Sequence, residues 1–203
     1  MPVVDNRQYP TIALSDAFNA AGHALGAYYC WAADPNAAIG LTYVTAAAVA
    51  GVLRFGLHAP TFSPANGAWA EAAGFVGLPM VGHATVCRLL ALPSSNLATN
   101  PVAYLSGLVL LYTAIKAYCG ANEGKKDLAR TLVAALTCVV PLVVHGVRTG
   151  NAMLYGSVLL FLAGGVVIGA DRHRCIGGVR RENVFHYVIG TAAAGIGLGL
   201  ASA

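Results

Sequence analysis

Charged residues are scarce in this chain of 203 residues: it has 12 Lys and Arg and 8 Asp and Glu, so only 10% of its residues carry a charge. A soluble domain typically carries about 25%. The hydrophobic share is 57% and the mean hydropathy is +0.66. These figures exclude a soluble globular enzyme, an intrinsically disordered chain and a nucleic-acid-binding domain that relies on phosphate contacts. A multi-spanning membrane protein remains.

Sequence signatures of common chemistries are also missing. The five cysteines lie singly without C-x-x-C spacing, which excludes a zinc ribbon and a disulfide framework. There is no H-E-x-x-H, no G-x-S-x-G, no P-loop and no Rossmann glycine pattern. The chain begins without a basic n-region, so the first apolar run is predicted to be a retained span. No cofactor is predicted.

Seven apolar segments have the length of a membrane span. A bilayer core about 30 Å thick needs roughly 20 apolar residues per helix. The sequence therefore predicts an all-α polytopic membrane protein, with residues 1–203 forming a single bundle of seven transmembrane helices. The predicted spans are 12–32, 37–57, 68–90, 101–118, 128–147, 152–170 and 184–201.

The few basic residues predict the orientation of these spans. With seven spans, ten of the twelve Lys and Arg fall on the side of the N-terminus, and only Arg88 and Arg148 fall on the other. The positive-inside rule then places the N-terminus in the cytosol and the C-terminus in the lumen or outside the cell. This orientation is opposite to that of a G-protein-coupled receptor. Spans of about 20 residues favour a thin, ER-like endomembrane over the plasma membrane.

Small and basic residues suggest where the helices contact other groups. Three small-residue ridges, Gly22-x3-Gly26, Gly165-x3-Gly169 and Gly195-x3-Gly199, are predicted to pack helices within the bundle, with a dimerisation face as the alternative. The loop before the last span is basic and fits either a topology anchor or a site for lipid headgroups. The headgroup candidates are Arg172, Arg174, Arg180 and Arg181.

Polar side chains inside the predicted spans are costly in a membrane and are therefore candidates for function. The candidates for a polar cavity are Asp16, Asn19, His23, Glu71, His83 and His145. The first three share one face of the first span by their i, i+3, i+7 spacing. His83 and His145 lie at similar distances from the starts of their spans, which predicts that they share a layer, with His23 about 6–8 Å nearer the cytosol.

A short pattern repeats around two of these histidines. Pro79-x3-His83 recurs 62 residues later as Pro141-x3-His145. A proline inside a helix leaves a carbonyl four residues earlier without its hydrogen bond and kinks the helix. Two kinked helices with matching histidines could flank a polar cavity, as in transporters. Alternatively, each histidine is buried and satisfied by neighbouring groups.

Three short segments lie in order along most of the chain: Ala13-Leu14-Ser15, Gly77-Leu78-Pro79 and Arg181-Glu182-Asn183-Val184. In sequence and spacing they resemble the animal family called transmembrane protein 276. The resemblance implies a small polytopic protein of animal endomembranes and assigns no catalytic residue.

Three functions follow as hypotheses. The first is a non-enzymatic accessory or assembly subunit that packs against a membrane protein partner, a second copy of itself or lipid. The second is a small channel or transporter whose polar cavity is lined by His23, His83 and His145. The third is an intramembrane zinc-dependent lipid hydrolase with the same three histidines as ligands. The lipid bilayer is the expected partner in each case, and no nucleic acid is expected.

Overall fold

The computed structural model describes residues 9–57, 60–92, 100–169 and 174–202, and this part of the chain is almost entirely helical. Its α-helices are α1 Tyr9–Cys30, α2 Pro35–Gly56, α3 Ser63–Ala72, α4 Leu78–Leu89, α5 Pro101–Cys119, α6 Glu123–Ala134, α7 Val140–Thr149, α8 Ala152–Leu162 and α9 Arg181–Ala201. A 3-10 turn at Pro60–Phe62 precedes α3. A two-residue hairpin, β1 Cys175–Ile176 and β2 Val179–Arg180, precedes α9.

Three π-helical segments continue the α-helices. Ala73–Gly77 joins α3 to α4, Ala135–Val139 joins α6 to α7, and Ala163–Ile168 extends α8. The helices therefore form seven rods: α1, α2, α3–α4, α5, α6–α7, α8 and α9. The first two π-helical segments each end two residues before a proline, Pro79 and Pro141. The kinks predicted at these prolines stay predictions.

Side-chain caps and glycines set the rod boundaries. Asp34 caps α2 through a 3.1 Å hydrogen bond from the Ala37 N–H, and Pro35 occupies the first turn, where it costs no hydrogen bond. Asn122 caps α6 in the same way, so the fifth rod starts at Glu123, five residues before the predicted span. Gly150 ends α7 in a left-handed conformation (φ 65°) that favours glycine.

Close backbone contacts show the direction of the rods on one side of the bundle. Gly22 lies against Gly190 and Gly26 against Ala193, so α1 and α9 are parallel. Gly51 lies against Asp16, and Gly26 also touches Leu41, so α1 and α2 are antiparallel.

The same contacts show the direction of the remaining rods. Gly74 lies against Arg130 and Gly82 against Cys138, so the α3–α4 and α6–α7 rods are parallel. Gly199 lies against Leu154 in an antiparallel pairing of α9 with α8. Gly40 lies against Val81 and Asn66 against Ala47, so α2 is antiparallel to the α3–α4 rod. Tyr112 meets Glu71 and Tyr104 meets His83, so α5 is antiparallel to that rod as well. Odd-numbered rods therefore run one way and even-numbered rods the other.

Most of the predicted glycine ridges pack inside the bundle. A Cβ at Gly22 would overlap the backbone of α9, and one at Gly195 or Gly199 would overlap α8. Internal packing, the preferred interpretation of the sequence, is confirmed at these positions. At Gly165, by contrast, a Cβ would have no described atom within 4 Å.

Among the described residues, five helical stretches are long and apolar enough to cross a membrane: Pro35–Gly56, Ser63–Leu89, Val102–Cys119, Gly124–Thr149 and Arg181–Ala201. A shorter apolar stretch, Ala152–Ile168, follows α7. The first rod is long enough but less hydrophobic than these stretches, because Asp16, Asn19 and His23 lower its mean hydropathy.

Candidate functional site

A buried polar cluster joins α1 to α9; we call Ser15, Asp16, Asn183 and His186 the α1/α9 cluster. The Ser15 hydroxyl donates to the Ile12 carbonyl (2.9 Å) and lies 3.1 Å from Asn183 Oδ1 and 3.1 Å from His186 Nδ1. Asp16 Oδ1 lies 3.1 Å from the same ring nitrogen. The cluster holds two parallel helices together through groups that would be costly in an apolar environment.

Proton positions in this cluster argue against hydrolase chemistry. Ser15 has one hydrogen, for which the Ile12 carbonyl and Asn183 Oδ1 are both acceptors within reach. A proton on His186 Nδ1 can be donated to the Asp16 carboxylate. A serine–histidine–aspartate triad requires serine and aspartate to meet opposite ring nitrogens. Here Ser15 and Asp16 meet the same one. The arrangement is therefore a network that fixes α1 against α9.

Sequence reasoning missed the α9 half of this cluster. Asn183 and His186 lie three residues apart at the start of the last helix and face Ser15. Their i, i+3 spacing, matched to the polar face of the first span, was the available signal. Glu182 beside them is also buried.

A second polar cluster lies at the opposite end of the bundle; we call Asn36, His83, Cys87 and Tyr104 the His83 cluster. Asn36 Nδ2 is 2.8 Å from His83 Nδ1, and Cys87 Sγ is 3.4 Å from His83 Nε2. The Tyr104 ring stacks on the imidazole with a centroid distance of 3.7 Å. Helices α2, α4 and α5 therefore meet at this histidine.

Arg88 ties the helix ends together next to the His83 cluster. Its guanidinium donates to the carbonyls of Leu200 and Ala33, both at 3.3 Å, and lies 3.9 Å from Asp34 Oδ2. Burial raises the pKa of the Asp34 carboxyl, against the opposing effects of the Ala37 N–H and of Arg88. The contacts of Arg88 link the ends of α1, α4 and α9.

His23 borders a small cavity at the centre of the bundle. The imidazole is fully buried, its Nδ1–H donates to the Asn19 carbonyl (2.9 Å), and its Nε2 has no hydrogen-bond partner among the described residues. The other walls are formed by apolar side chains such as Leu41, Val81 and Leu142, together with Cys138. The space has room for about one water molecule.

The prediction that His83 and His145 share a layer is wrong. Contacts of Gly74 with Arg130 and of Gly82 with Cys138 pair residues 56 apart, whereas His83 and His145 are 62 apart. His145 therefore lies six residues, about 9 Å, further along the bundle than His83, and the two do not share a layer. The cavity at His23 includes neither of them.

The separation of the histidines also argues against the zinc site formed by His23, His83 and His145. Within the described ranges, no group of three or more His, Cys, Asp or Glu side chains is placed to hold a metal ion. The register of the rods spreads His23, His83 and His145 along the bundle. They do not form one ligand set there.

Glu71 also lies apart from the histidines. It accepts a 2.5 Å hydrogen bond from the Tyr112 hydroxyl and lies 3.4 Å from Lys116 Nζ, at the contact between α3 and α5. Its side chain is part-exposed. The prediction that Glu71 lines a cavity with the histidines is therefore wrong, because its register places it in an ion pair near the end of the rods.

The basic loop before α9 is only partly described, and Arg172 lies outside the described residues. Arg174 is exposed, and its carbonyl accepts from the Arg181 N–H at 2.9 Å. Arg180 belongs to β2. The Arg181 side chain donates to the Val167 carbonyl (2.7 Å) at the end of the third π-helical segment. Arg181 thus has a structural contact, and headgroup binding by this loop stays a prediction.

The helices define the chain as an all-α protein with several apolar helices of membrane-spanning length. No protein-family model, no curated protein and no solved structure matches it. The resemblance to the transmembrane protein 276 family stays a prediction. Function is therefore inferred from the chain's own residues.

Proposed function

We propose that the chain is a seven-span protein of an ER-like endomembrane, with a cytosolic N-terminus, and that it acts as an accessory or assembly subunit and not as an enzyme. The alternating direction of the seven rods supports this topology. So does the position of the charges, since Arg54 and Lys116 lie near one end of the rods and Arg88 and Arg148 near the other.

The surface of α1 supports its inclusion as a span. Its polar residues face α9 and α2, whereas Leu14 and Tyr28 are 63% and 77% exposed. A helix of modest hydropathy can therefore present an apolar face to lipid. The 17-residue stretch Ala152–Ile168 is about 25 Å long, which is close to the thickness of a thin bilayer core.

One observation carries the accessory role: Asp16, Glu71 and His83 each contact a polar side chain of another helix, and the central cavity is lined by apolar side chains apart from His23 and Cys138. A conducting path needs polar groups along its length. The channel and hydrolase hypotheses both depended on a joint site of three histidines. Without that site, the remaining features are internal packing and an apolar outer surface.

Helix α5 is the part of this surface that best fits a partner. Only 11% of Val102–Cys119 is buried, against 67% of the window in Ser63–Leu89. Outward residues such as Val102, Leu110 and Tyr118 are strongly exposed. An adjacent transmembrane helix, from a partner or from a second copy, would bury this face.

Site-specific photocrosslinking in membranes tests the proposal. A photoreactive residue at Leu110 on α5 is expected to give a discrete protein adduct, whereas one at Leu14 on α1 is expected to give lipid adducts only. Both positions are apolar and exposed. Lipid adducts alone at both positions, together with a monodisperse monomer in mild detergent, would overturn the accessory role.

Glycosylation acceptor sites test the topology separately. An acceptor introduced beside Gly150 is expected to be modified in the lumen, and one beside Asn122 is expected to stay unmodified. The reverse pattern would overturn the orientation. Modification of both, or of neither, would contradict the alternation of the rods across the membrane.

A further inference from the structure

Cys87 lies in contact with a candidate base. It lies one helical turn after His83 on α4, and its Sγ is 3.4 Å from His83 Nε2. The other ring nitrogen of His83 is 2.8 Å from the side-chain amide of Asn36. Cys87 is part-exposed, whereas Cys30 and Cys138 are buried. A nucleophile, a base and a group that orients the base are therefore in contact.

The Asn36 amide can set the tautomer that this chemistry requires. As placed, Nδ2 faces the imidazole and the buried Oδ1 has no hydrogen-bond partner among the described residues. The two ends of an amide exchange on a 180° rotation. Oδ1 then accepts from the His83 Nδ1–H, and the Nε2 lone pair faces the thiol. Stacking on Tyr104 holds the plane of the ring.

The depth of Cys87 suggests its substrate, and this step rests on the proposed membrane topology. Cys87 lies two residues before the end of α4 at Leu89, about 3 Å along the helix axis. In a spanning rod this is the boundary between hydrocarbon and headgroups, where the ester carbonyls of glycerolipids lie. The protein's own bilayer therefore places an electrophile at the level of the thiol.

We propose that Cys87 is a self-acylation site that takes a fatty acyl group from a glycerolipid ester. His83 Nε2 accepts the thiol proton, and Sγ attacks the ester carbonyl carbon. A C–S bond forms and the C–O ester bond breaks. The departing lysolipid oxygen takes the proton from His83, which leaves a thioester on Cys87 and a neutral lysolipid. The step needs no oxidant and no further reactant.

Acyl transfer in vesicles tests the proposal. The full chain is reconstituted in phosphatidylcholine that carries an alkyne-tagged acyl chain, and tag on the protein is measured before and after neutral hydroxylamine, which cleaves thioesters. Tag that is removed by hydroxylamine is expected in the native chain and in Cys175→Ala. At least about a 100-fold loss is expected in Cys87→Ala and His83→Gln, since general-base catalysis contributes 10²–10⁴-fold.

The results of this experiment test the self-acylation site separately from the proposed membrane topology. Absence of hydroxylamine-labile tag on a chain that resists carbonate extraction would overturn the self-acylation site and leave the membrane proposal intact. Tag that persists in Cys87→Ala would also overturn it. Alkylation by iodoacetamide checks the His83→Gln variant. Its Cys175 should react at the same rate as in the native chain, which shows that the variant is folded. Its Cys87 should react more slowly, and an unchanged Cys87 rate would contradict activation by His83.

A water-soluble short-chain aryl ester tests the thiol without the bilayer. Acylation of Cys87 by this ester but not by phosphatidylcholine would overturn the assignment of a lipid donor. Acylation of Cys87 by both supports it.

Discussion

Helices α9 and α5 are held against the rest of the bundle in different ways. The first helix and α9 approach backbone to backbone, with Gly22 against Gly190 and Gly26 against Gly197. Helix α5 instead touches its neighbours through side-chain tips, such as the stacking of Tyr104 on His83 and of Tyr112 on Phe75. Backbone contact leaves no space for a side chain, whereas contact through side chains leaves room for adjustment. The two interfaces should therefore respond differently to mutation.

The largest effect is expected at the glycine interface. Gly22→Val places a branched side chain where a Cβ already overlaps the Gly190 carbonyl, and should lower the free energy of unfolding by about 3 kcal/mol or more. The matched control is Gly107→Val on α5, where a Cβ has no described atom within 4 Å. We expect a change within about 0.5 kcal/mol there. Unfolding in a detergent titration measures both, and equal losses would contradict the comparison.

The next effect is expected in the α1/α9 cluster. His186→Leu removes the imidazole that lies 3.1 Å from Asp16, and should cost about 2–3 kcal/mol because a buried carboxylate loses its partner. A double-mutant cycle of Asp16→Ala and His186→Ala should give a coupling energy of about 1–3 kcal/mol. Strictly additive losses would show that the two side chains do not interact.

A smaller effect is expected on α5. Tyr104→Leu removes the stacking on His83 and should cost about 1 kcal/mol. Because α5 has few other buried contacts, we expect this variant to expose α5 to limited proteolysis while α1 and α9 stay protected. Global loss of protection would indicate that α5 is part of the same cooperative unit.

The smallest effect is expected at Glu71. Tyr112→Phe keeps the stacking on Phe75 and deletes only the hydrogen bond to the carboxylate. The pair is part-exposed, so the loss should stay below about 1 kcal/mol. The same detergent titration measures it, and a loss as large as that of Tyr104→Leu would contradict the ranking.

Sequence patterns predicted the all-α fold and its long apolar helices because hydropathy and caps act locally. The predicted span 101–118, for example, starts where α5 does, at Pro101 after the Asn100 cap. The register between rods was not predictable in this way. It depends on which glycine lies against which carbonyl, as Gly82 does against Thr137, and such pairings have no local signature.

In the candidate sites, too, contacts within one helix could be predicted and contacts between helices could not. Asp16 was a candidate because a buried carboxylate is costly, but its partner His186 lies 170 positions away on another helix. His83 was also a candidate, and its contact with Cys87 follows from i, i+4 spacing within α4. Asn36, which completes the His83 cluster from α2, required the fold.

The parallel pairing of the first and last helices has a consequence for biosynthesis. Ser15 and His186 are separated by 171 residues, which a ribosome translates in roughly 10–30 s. During that interval α1 is already made, but Asn183 and His186, which contact Ser15 and Asp16 in the folded protein, have not yet been synthesised. A nascent chain in this state offers a carboxylate and a glycine groove to any insertion chaperone that shields such helices. The polar contacts of α1 are therefore completed only after α9 has been made.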